Sequence, residues 1–483
     1  MWSNKQYFTD KLIAQRSCNG RFVQYPATSG TGTSGQVSLY WSNIQALSRK
    51  NFMDNFRISF RIDVSFTGVS GGANKTFEFI KDINHAMRTL VSINGSISQE
   101  VEGWALTPIL KCYSEKYKSK DNLLVNDDWV YSITDTTNLE HGISSTDKRG
   151  VKQKSTSTST ATLGFSAYCN VPIYHYLLMN GLGGVNSLNI RIILDNNLYS
   201  IMSAGSNYTA TIQEATITYD EYESSTEDFS IGIPYFVFYN TAITSPNGST
   251  SYESQTRNTN GCCSYVFQHI SQLGSLLTAK NTIGTGELQK PLLMESVNID
   301  VNNNTNCWNV SGPIQAYGRC SAVDYQGSLT DFADNLGINS FGCVLKIDMH
   351  KLPTNISSSE IFRFNSRVVP SSSSVSHLYL STVYCYPAVL HLSEAESEIK
   401  YISYDAFVGE LADYDPLDNM IVGAGWWDKL KSFGKKVLNN APGLIDKASR
   451  IADVVSPNSG VSKGFDKASQ ISNILTGTST SLF

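Results

Sequence analysis

The sequence predicts an all-β protein built from two similar β-sandwich domains in tandem, followed by a short α-helical C-terminal tail. Apolar and polar residues alternate with a period of two in many short segments, which is typical of strands with one buried face. Long helical periodicity is missing from both halves of the chain. The hexapeptide ITYDEY at residues 217–222 returns as ISYDAF at residues 402–407, which indicates two domains that end on similar strands.

The composition supports folded β domains and limits the partners and the compartment. The 483 residues exceed what one core normally serves, and 41% of them are hydrophobic. Only 16% are charged and the net charge is −5, which gives no general attraction to nucleic acid. We interpret the nine cysteines as reduced thiols, because none has metal-ligand spacing. No signal peptide or membrane-spanning run is recognisable, so we expect a soluble chain made in the cytosol.

The first domain is predicted to cover residues 36–223, after an irregular N-terminal arm over residues 1–35. Its clearest strand lies at residues 56–66, where six apolar residues alternate with polar ones without a break. The polar segment 127–162 is interpreted as a long loop at the top of the domain. The other predicted elements are a strand at 36–41, a hairpin turn at Asn94-Gly95, a short edge helix at 104–117, and strands at 163–172 and 188–194.

The second domain is predicted to cover residues 229–415, after a polar linker at 224–228. Its predicted strands lie at 235–238, 263–268, 297–301, 343–349 and 378–386. This number of strands, joined by long and unequal connections, favours a β-sandwich of the jelly-roll type over a meander or a propeller. The interpretation is therefore two tandem jelly rolls.

The tail, residues 421–483, has a different character because it reads as amphipathic helices with a net charge of +4, from eight Lys/Arg and four Asp. Two tryptophans beside a lysine-rich face are typical of an interfacial membrane helix. A helix that docks on the protein body remains an equal alternative, and nucleic-acid contact a third. The membrane-interaction candidates are Trp426, Trp427, Leu430, Phe433, Val437, Lys429, Lys431, Lys435 and Lys436.

No recognisable motif for catalysis, cofactor binding or metal binding occurs in the sequence. The seven histidines form no ligand pair, and we interpret His85 and His175 as core or strand residues. We therefore predict that the protein is not an enzyme and has no cofactor.

Four stretches resemble the double jelly-roll capsid proteins of double-stranded DNA viruses, in particular the polinton-like, adintovirus-like and large-DNA-virus branches. None is a signature motif, so the resemblance lies in their order and spacing over about residues 36–407. The stretches are residues 56–66, residues 84–95 with the Asn-Gly hairpin, residues 165–194, and residues 341–348 together with 378–405.

The resemblance implies a viral capsid protein, and the major capsid protein in first place. Such a chain would be made and assembled inside the host cell and would reside in the virion. It would form homotrimers that act as pseudo-hexamers in an icosahedral shell. Its partners would be itself, other capsid proteins and, through the tail, membrane lipid, without specific nucleic-acid binding. The alternative is an RNA-virus capsid or spike protein with one jelly-roll shell domain and a projecting receptor-binding β domain.

Overall fold

A computed structural model of the chain describes most of the residues between positions 13 and 401. The described ranges are 13–19, 21–24, 36–71, 75–79, 83–113, 129–142, 150–195, 200–202, 208–223, 229–243, 250–257, 263–272, 294–302, 304–319, 325, 327–329, 332, 344–349, 361–368, 378–393 and 397–401. The predicted linker and the predicted helical tail lie outside the described residues.

The elements of the first half are fifteen strands, one 3-10 turn and one helix within the described ranges. They are β1 (Ile13–Asn19), β2 (Arg21–Gln24), β3 (Gln36–Ile44), β4 (Phe52–Thr67), β5 (Thr76–Phe79), the 3-10 turn Ile83–Ala86, β6 (Met87–Ile93), β7 (Ile97–Glu102), α1 (Gly103–Tyr113), β8 (Trp129–Ser132), β9 (Leu139–His141), β10 (Val151–Gln153), β11 (Thr162–Pro172), β12 (Leu182–Gly183), β13 (Leu188–Asp195), β14 (Ser200–Met202) and β15 (Tyr208–Tyr222).

The described elements of the second half are nine strands and one helix. They are β16 (Phe229–Ile243), β17 (Thr250–Arg257), β18 (Tyr265–Gln272), β19 (Met294–Val301), β20 (Asn304–Ser311), α2 (Pro313–Arg319), β21 (Leu345–Asp348), β22 (Ile361–Val368), β23 (Leu378–Leu392) and β24 (Ser397–Tyr401).

Eight strands of the first half have the order of a jelly roll when they are lettered B to I along the chain. One sheet has the order B-I-D-G, formed by β1, β15, β4 and β11, and β8 extends it beyond G. The other sheet has the order C-H-E-F, formed by β3, β13, β6 and β7. All of these pairings are antiparallel. We call the two sheets of each roll its BIDG sheet and its CHEF sheet.

The second half repeats this order strand for strand. Its BIDG sheet is β16, β23, β18 and β21, and its CHEF sheet is β17, β22, β19 and β20. In both rolls a helix follows strand F: α1 follows β7 and α2 follows β20. The prediction of two tandem jelly rolls is therefore confirmed, and the alternative of one jelly roll beside an unrelated β domain is wrong.

The alternation read from the sequence sets the orientation of β4, strand D of the first roll. Phe60 and Ile62 are buried, whereas their neighbours Ser59, Arg61 and Asp63 are partly exposed. Since successive side chains of a strand point to opposite faces, one face of β4 meets the core and the other meets solvent. The predicted strand at 56–66 is confirmed and is longer than expected at both ends.

Two predictions in the first half differ from the structure. Residues 1–35 were expected to be an irregular arm, but Ile13–Asn19 forms strand B and pairs along its whole length with β15. Its sequence, IAQRSCN, does not alternate, so the pattern of a strand is missing. The expected structureless loop at 127–162 contains β8, β9 and β10 instead. β9 and β10 join β5 and β14 in a small four-stranded sheet built from the connections of the first roll.

The hexapeptide repeat does not mark equivalent positions in the two rolls. Residues 217–222 lie in β15, strand I of the first roll, and strand I of the second roll is β23. The second hexapeptide, at 402–407, follows β24 and lies outside the described residues. Strand β15 of the first roll therefore corresponds to β23 of the second roll, which ends before the second hexapeptide begins.

Among the described residues, no helix is both long and apolar enough to cross a membrane.

Candidate functional site: the junction between the two rolls

The contact between the rolls is organised around α1, which is buried along its whole length. Apolar side chains occur all round this helix, including Trp104, Leu106, Ile109, Leu110 and Tyr113. A helix that is apolar on every side is stable only when it is covered on every side. The sequence predicted this helix at the edge of the first domain; the structure places it between the two rolls.

The first turn of α1 fits against its own roll with no room for a side chain at Gly103. A Cβ atom at this position would lie 1.8 Å from the backbone oxygen of Asn84 and 2.6 Å from that of Met87. Asn84 belongs to the 3-10 turn that precedes strand E, and its side-chain amide donates to the backbone oxygen of Pro172, 2.9 Å away. The start of α1 is thus held against strands E and G of the first roll.

The opposite side of α1 lies on the BIDG sheet of the second roll. The Tyr113 hydroxyl donates to the backbone oxygen of Val344, 2.6 Å away. Its ring packs against Phe267 of strand D, with 5.6 Å between the centroids. Trp104, at the other end of the helix, packs against Tyr379 of strand I at 5.7 Å. The helix therefore spans strands I, D and G of the second roll.

A buried histidine hydrogen-bonds the backbone of α1. His269 on β18 lies 2.9 Å from the backbone oxygen of Ala105, and a carbonyl oxygen only accepts, so Nε2 of His269 donates. Burial lowers the pKa of His269 to about 4, with the nearby His85 as a further cause, against the hydrogen bond to Ala105. His269 is therefore neutral at physiological pH.

A lysine is buried on the same sheet face. Lys346 on β21 is fully buried, and its Nζ lies 4.2 Å from the centroid of the Tyr265 ring and 5.7 Å from that of Tyr113. Aromatic faces attract a cation electrostatically, most strongly where water is excluded. The ring of Tyr113 thus contributes both a hydrogen bond and a cation–π contact to the junction.

A second group of contacts surrounds Gln99 of strand F. The hydroxyls of Tyr176 and Tyr235 both donate to its Oε1, at 3.0 Å and 3.3 Å, and Tyr235 belongs to strand B of the second roll. His175 stacks on Tyr176, and its Nε2 lies 3.1 Å from the backbone oxygen of Gln99. Burial lowers the pKa of His175 to about 3. His85 and His175 are buried, in agreement with their interpretation as core or strand residues.

Further contacts across the junction involve the turn between β6 and β7 and the ring of Phe229. The Asn94-Gly95 turn, with positive φ at both residues, is the predicted hairpin between β6 and β7. From this turn, Nδ2 of Asn94 donates to Oγ of Ser397 at 2.9 Å. At Gly183, a Cβ atom would lie 2.4 Å from the ring of Phe229, so only glycine fits there.

The arrangement can fix two domains relative to each other. Buried apolar residues of both rolls form one continuous cluster.

Among the described residues, no group of three or more His, Cys, Asp or Glu side chains could hold a metal ion. Cys112, Cys169, Cys263, Cys307 and Cys385 carry thiols that are not part of disulfide bonds.

The membrane-interaction candidates cannot be compared with this junction. Trp426, Trp427, Leu430, Phe433, Val437, Lys429, Lys431, Lys435 and Lys436 all lie outside the described residues. Sequence reasoning missed the junction itself, although the largely apolar character of residues 104–110 could have indicated a helix buried on all sides.

Comparisons with known proteins give similarity in structure alone. No known family model and no curated protein sequence matches the chain. A chain of the Sputnik virophage, solved by cryo-EM, aligns with a TM-score of 0.54 and 12% identity, covering 80% of this chain and 89% of that one. The mavirus major capsid protein aligns at 0.49 and 9%, covering 80% and 90%. A chain of the PBCV-1 virus capsid model aligns at 0.44 and 11%, covering 81% and 98%.

At such low identity, the alignment with the Sputnik virophage chain establishes a shared fold. The strand order in both halves gives the same result from the topology of this chain alone. The protein therefore has the double jelly-roll fold.

Proposed function

We propose that the chain is a capsid protein of a double-stranded DNA virus and that it resides in the shell of the virion. The observation that carries the proposal is the repetition of one complete jelly roll within a single chain, in a fold shared with a chain of a virophage particle. The role is structural, without a cofactor or a catalytic site. The partners are further copies of the chain and other capsid proteins. The protein does not bind a specific nucleic acid.

The capsomer is a homotrimer with nearly six-fold symmetry. Two rolls of equal strand order in each of three chains give six similar units around one axis, a shape that tiles a closed shell. The buried junction supports this arrangement, because it keeps the two rolls of each chain in one orientation. The first roll extends from β1 to residue 223, the second covers residues 229–415, and residues 421–483 are a separate tail.

Sedimentation of the purified full-length protein tests the trimer. At micromolar concentration we expect three chains per particle, since obligate assemblies bury well over the standard interface area of about 1,600 Å². Electron micrographs of the same sample should show six-lobed particles and, where assembly proceeds, closed shells. A monomer at this concentration would contradict the proposal.

The tail is proposed to contact membrane lipid. Trp426, Trp427 and Leu430 would enter the headgroup boundary, while the lysines attract anionic lipid with about 1 kcal/mol each. A position on the inner side of the shell would keep this surface covered until disassembly, because an exposed apolar patch binds neighbours indiscriminately.

A leakage assay with dye-filled anionic vesicles tests this role on the unassembled full-length protein, in which no shell covers the tail. The expected result is leakage that falls on raising the salt concentration and is lost in the Trp426→Ser, Trp427→Ser double variant. The matched control is Trp2→Ser, which removes a tryptophan outside the tail and should retain leakage. Equal leakage from both variants, or none from the wild type, would leave a helix that docks on protein.

A further inference from the structure

The buried histidines of the described chain lie where the two rolls meet. His85 lies in the 3-10 turn beside α1, His175 in the connection between β11 and β12, and His269 on β18, and all three are buried. The other described histidines are His141, which is exposed, and His391, which is partly buried. In the described part of the chain, buried histidines are therefore confined to the junction and are missing from the interior of either β-sandwich.

Both ring nitrogens of His175 are already engaged. Its Nε2 lies 3.1 Å from the backbone oxygen of Gln99, and a carbonyl oxygen only accepts, so Nε2 carries the proton. Its Nδ1 accepts from the backbone N–H of Leu177 at 3.2 Å. A second proton would have to bind to Nδ1, where it would face the N–H of Leu177, donor against donor. A protonated His175 therefore cannot keep this arrangement.

The ring of His175 is part of the attachment of the second roll. It stacks on Tyr176 with 5.0 Å between the centroids, and Tyr176 packs against Tyr235 and Phe236 of β16 at 5.5 Å and 6.1 Å. The titratable side chains that surround Tyr176 are those of Tyr235 and Tyr401. Among the described residues, no carboxylate is placed to stabilise a charged imidazole at His175.

His269 meets the first roll at the start of α1. It points to the outer face of the second roll's BIDG sheet, meaning the face turned away from the CHEF sheet, and its Nε2 donates to the backbone oxygen of Ala105 at 2.9 Å. Its neighbour Gln268 points the other way, to Ser366 of the CHEF sheet. The charge of His85, on the side of the first roll, lowers the pKa of His269 further. Charging both histidines would thus place like charges on the two sides of the junction.

The other charged groups on the elements packed here do not favour a charged histidine. Lys111 of α1 and Lys346 of β21 are buried cations, and Asp348, two residues further along β21, is partly exposed. Glu102 precedes α1 and accepts from Nε1 of Trp104 at 3.1 Å, and burial raises the pKa of Glu102. It therefore takes up its proton more readily in the closed junction than in water, so acid does not weaken the junction through Glu102.

We propose that the junction is an acid-sensitive switch, in which protonation of His175 and His269 releases the second roll from the first while each roll stays folded. The protons come from the solvent, and each binds to the ring nitrogen that carries none in the closed junction. The inference goes beyond the proposed capsid function and rests on it only for its use. A shell protein whose two rolls separate at about pH 5 would loosen the shell in an acidic compartment of the cell.

The size of the effect follows from the pKa values of the two histidines. Burial lowers the pKa to about 3 for His175 and to about 4 for His269, and release from the junction restores the ordinary value of 6.5. The closed junction is therefore fully stabilised above pH 6.5 and loses this stabilisation as the pH falls. At pH 5 each histidine favours the open form about thirtyfold, and the two together about a thousandfold.

Energy transfer between one dye on each roll tests the switch in the full-length protein. The dyes are attached through azide-bearing residues at positions 47 and 239, because Leu47 is exposed in the first roll and Tyr239 in the second. Labelled chains are mixed with an excess of unlabelled chains, so that transfer occurs within one chain. Between pH 7.5 and pH 5, we expect the transfer efficiency to fall while the circular dichroism of the β-sheets is retained.

A histidine-free junction contact provides the decisive comparison. The His175→Gln, His269→Gln double variant should keep its neutral-pH transfer efficiency at pH 5, because glutamine can donate and accept but does not titrate. The matched control is His141→Gln on β9, which replaces an exposed histidine and should open like the wild type. If the double variant does not fold at pH 7.5, His269→Gln alone takes its place and should open at a lower pH than the wild type.

Three results would overturn the switch. They are a wild type that keeps its transfer efficiency at pH 5, a wild type that loses transfer and circular dichroism together, and a glutamine variant that opens at the same pH as the wild type. Sedimentation at pH 7.5 tests the trimer separately, so each of these results would leave the proposed capsid function standing.

Discussion

Phe60 lies at the centre of strand D in the first roll, where its ring enters the core between Ile58 and Ile62 on the same face. Replacing it with alanine removes buried apolar surface and leaves a cavity. We expect Phe60→Ala to lower the free energy of unfolding by about 3–5 kcal/mol and to impair assembly. The measurement is urea denaturation of the purified protein.

Ser59 provides the matched control, since it is the preceding residue and points to the outer face. Ser59→Ala should change the free energy of unfolding by less than about 0.5 kcal/mol, as surface substitutions usually do. Equal effects of the two substitutions would contradict the assigned strand register.

The lowered pKa values of His269 and His175 predict that the folded protein loses stability in acid. Burial lowers their pKa to about 4 and about 3 in the folded protein, whereas the unfolded chain has the ordinary value of 6.5. The unfolded state therefore takes up protons first, so the stabilisation is complete above pH 6.5 and is lost as the pH falls towards 4 and then 3. At pH 5 each histidine should account for about 2 kcal/mol of lost stability.

His269→Gln separates this effect from that of the carboxyl groups. A glutamine amide does not titrate, and it can still donate to the backbone oxygen of Ala105. Between pH 7.5 and pH 5, we expect the variant to lose about 2 kcal/mol less of its free energy of unfolding than the wild type. Identical pH profiles from denaturant titrations would refute the assignment of the proton to His269.

At the scale of an element, α1 depends on close contact with the turn before strand E. Gly103→Ala would place a Cβ atom 1.8 Å from the backbone oxygen of Asn84, so the helix or the turn must move. We expect a loss of about 3 kcal/mol in the free energy of unfolding, at the upper end for overpacking. Thermal unfolding followed by circular dichroism measures it.

The control for this substitution is Gly164→Ala on β11. Its Cβ atom would meet the backbone oxygen of Val64 at 3.5 Å, an ordinary van der Waals contact. The change should stay within about 1 kcal/mol of the wild type, as expected for alanine at a compatible glycine position. A Gly103→Ala protein as stable as this control would show that α1 is not seated as described.

The elements also explain which parts of the fold could be predicted from the sequence. β4 has one solvent-exposed face and one buried face, so polar and apolar residues alternate along it without a break and its orientation could be predicted. β18 is buried on both faces, since α1 covers one of them, and its residues Tyr265, Val266, Phe267, Gln268 and His269 do not alternate. Strand B of the first roll was missed because its sequence, IAQRSCN, does not alternate. Its pairing partner is β15, at the other end of the roll, so no local pattern indicates the pairing.

The candidate site could be predicted only in part, for the same reason. The helix at α1 and the Asn94-Gly95 turn are local patterns, and both were recognised. Their joint role in holding the second roll depends on contacts between residues more than a hundred positions apart, such as Tyr113 with Val344. The membrane role of Trp426 and Trp427 stays a prediction.

At the scale of the whole molecule, the continuous apolar cluster predicts that the rolls unfold together. Calorimetry of the wild type should give a single heat-absorption peak. Tyr113→Ala removes the hydrogen bond to Val344 and the contacts with Phe267 and Lys346, so we expect the peak to split into two. Two separate peaks from the wild type would contradict cooperative unfolding.

The unequal faces of the two BIDG sheets have a consequence for synthesis on the ribosome. The first roll emerges first, and domains generally fold in that order. Its outer face carries Ser59, Arg61 and Asp63 and can wait in water while the rest of the chain is translated. The apolar sheet face of the second roll, with Phe267, emerges after α1, the helix that covers it, has been translated. Only the eleven residues of α1 therefore remain uncovered until the second roll folds. The apolar sheet face is translated last, after the helix that buries it.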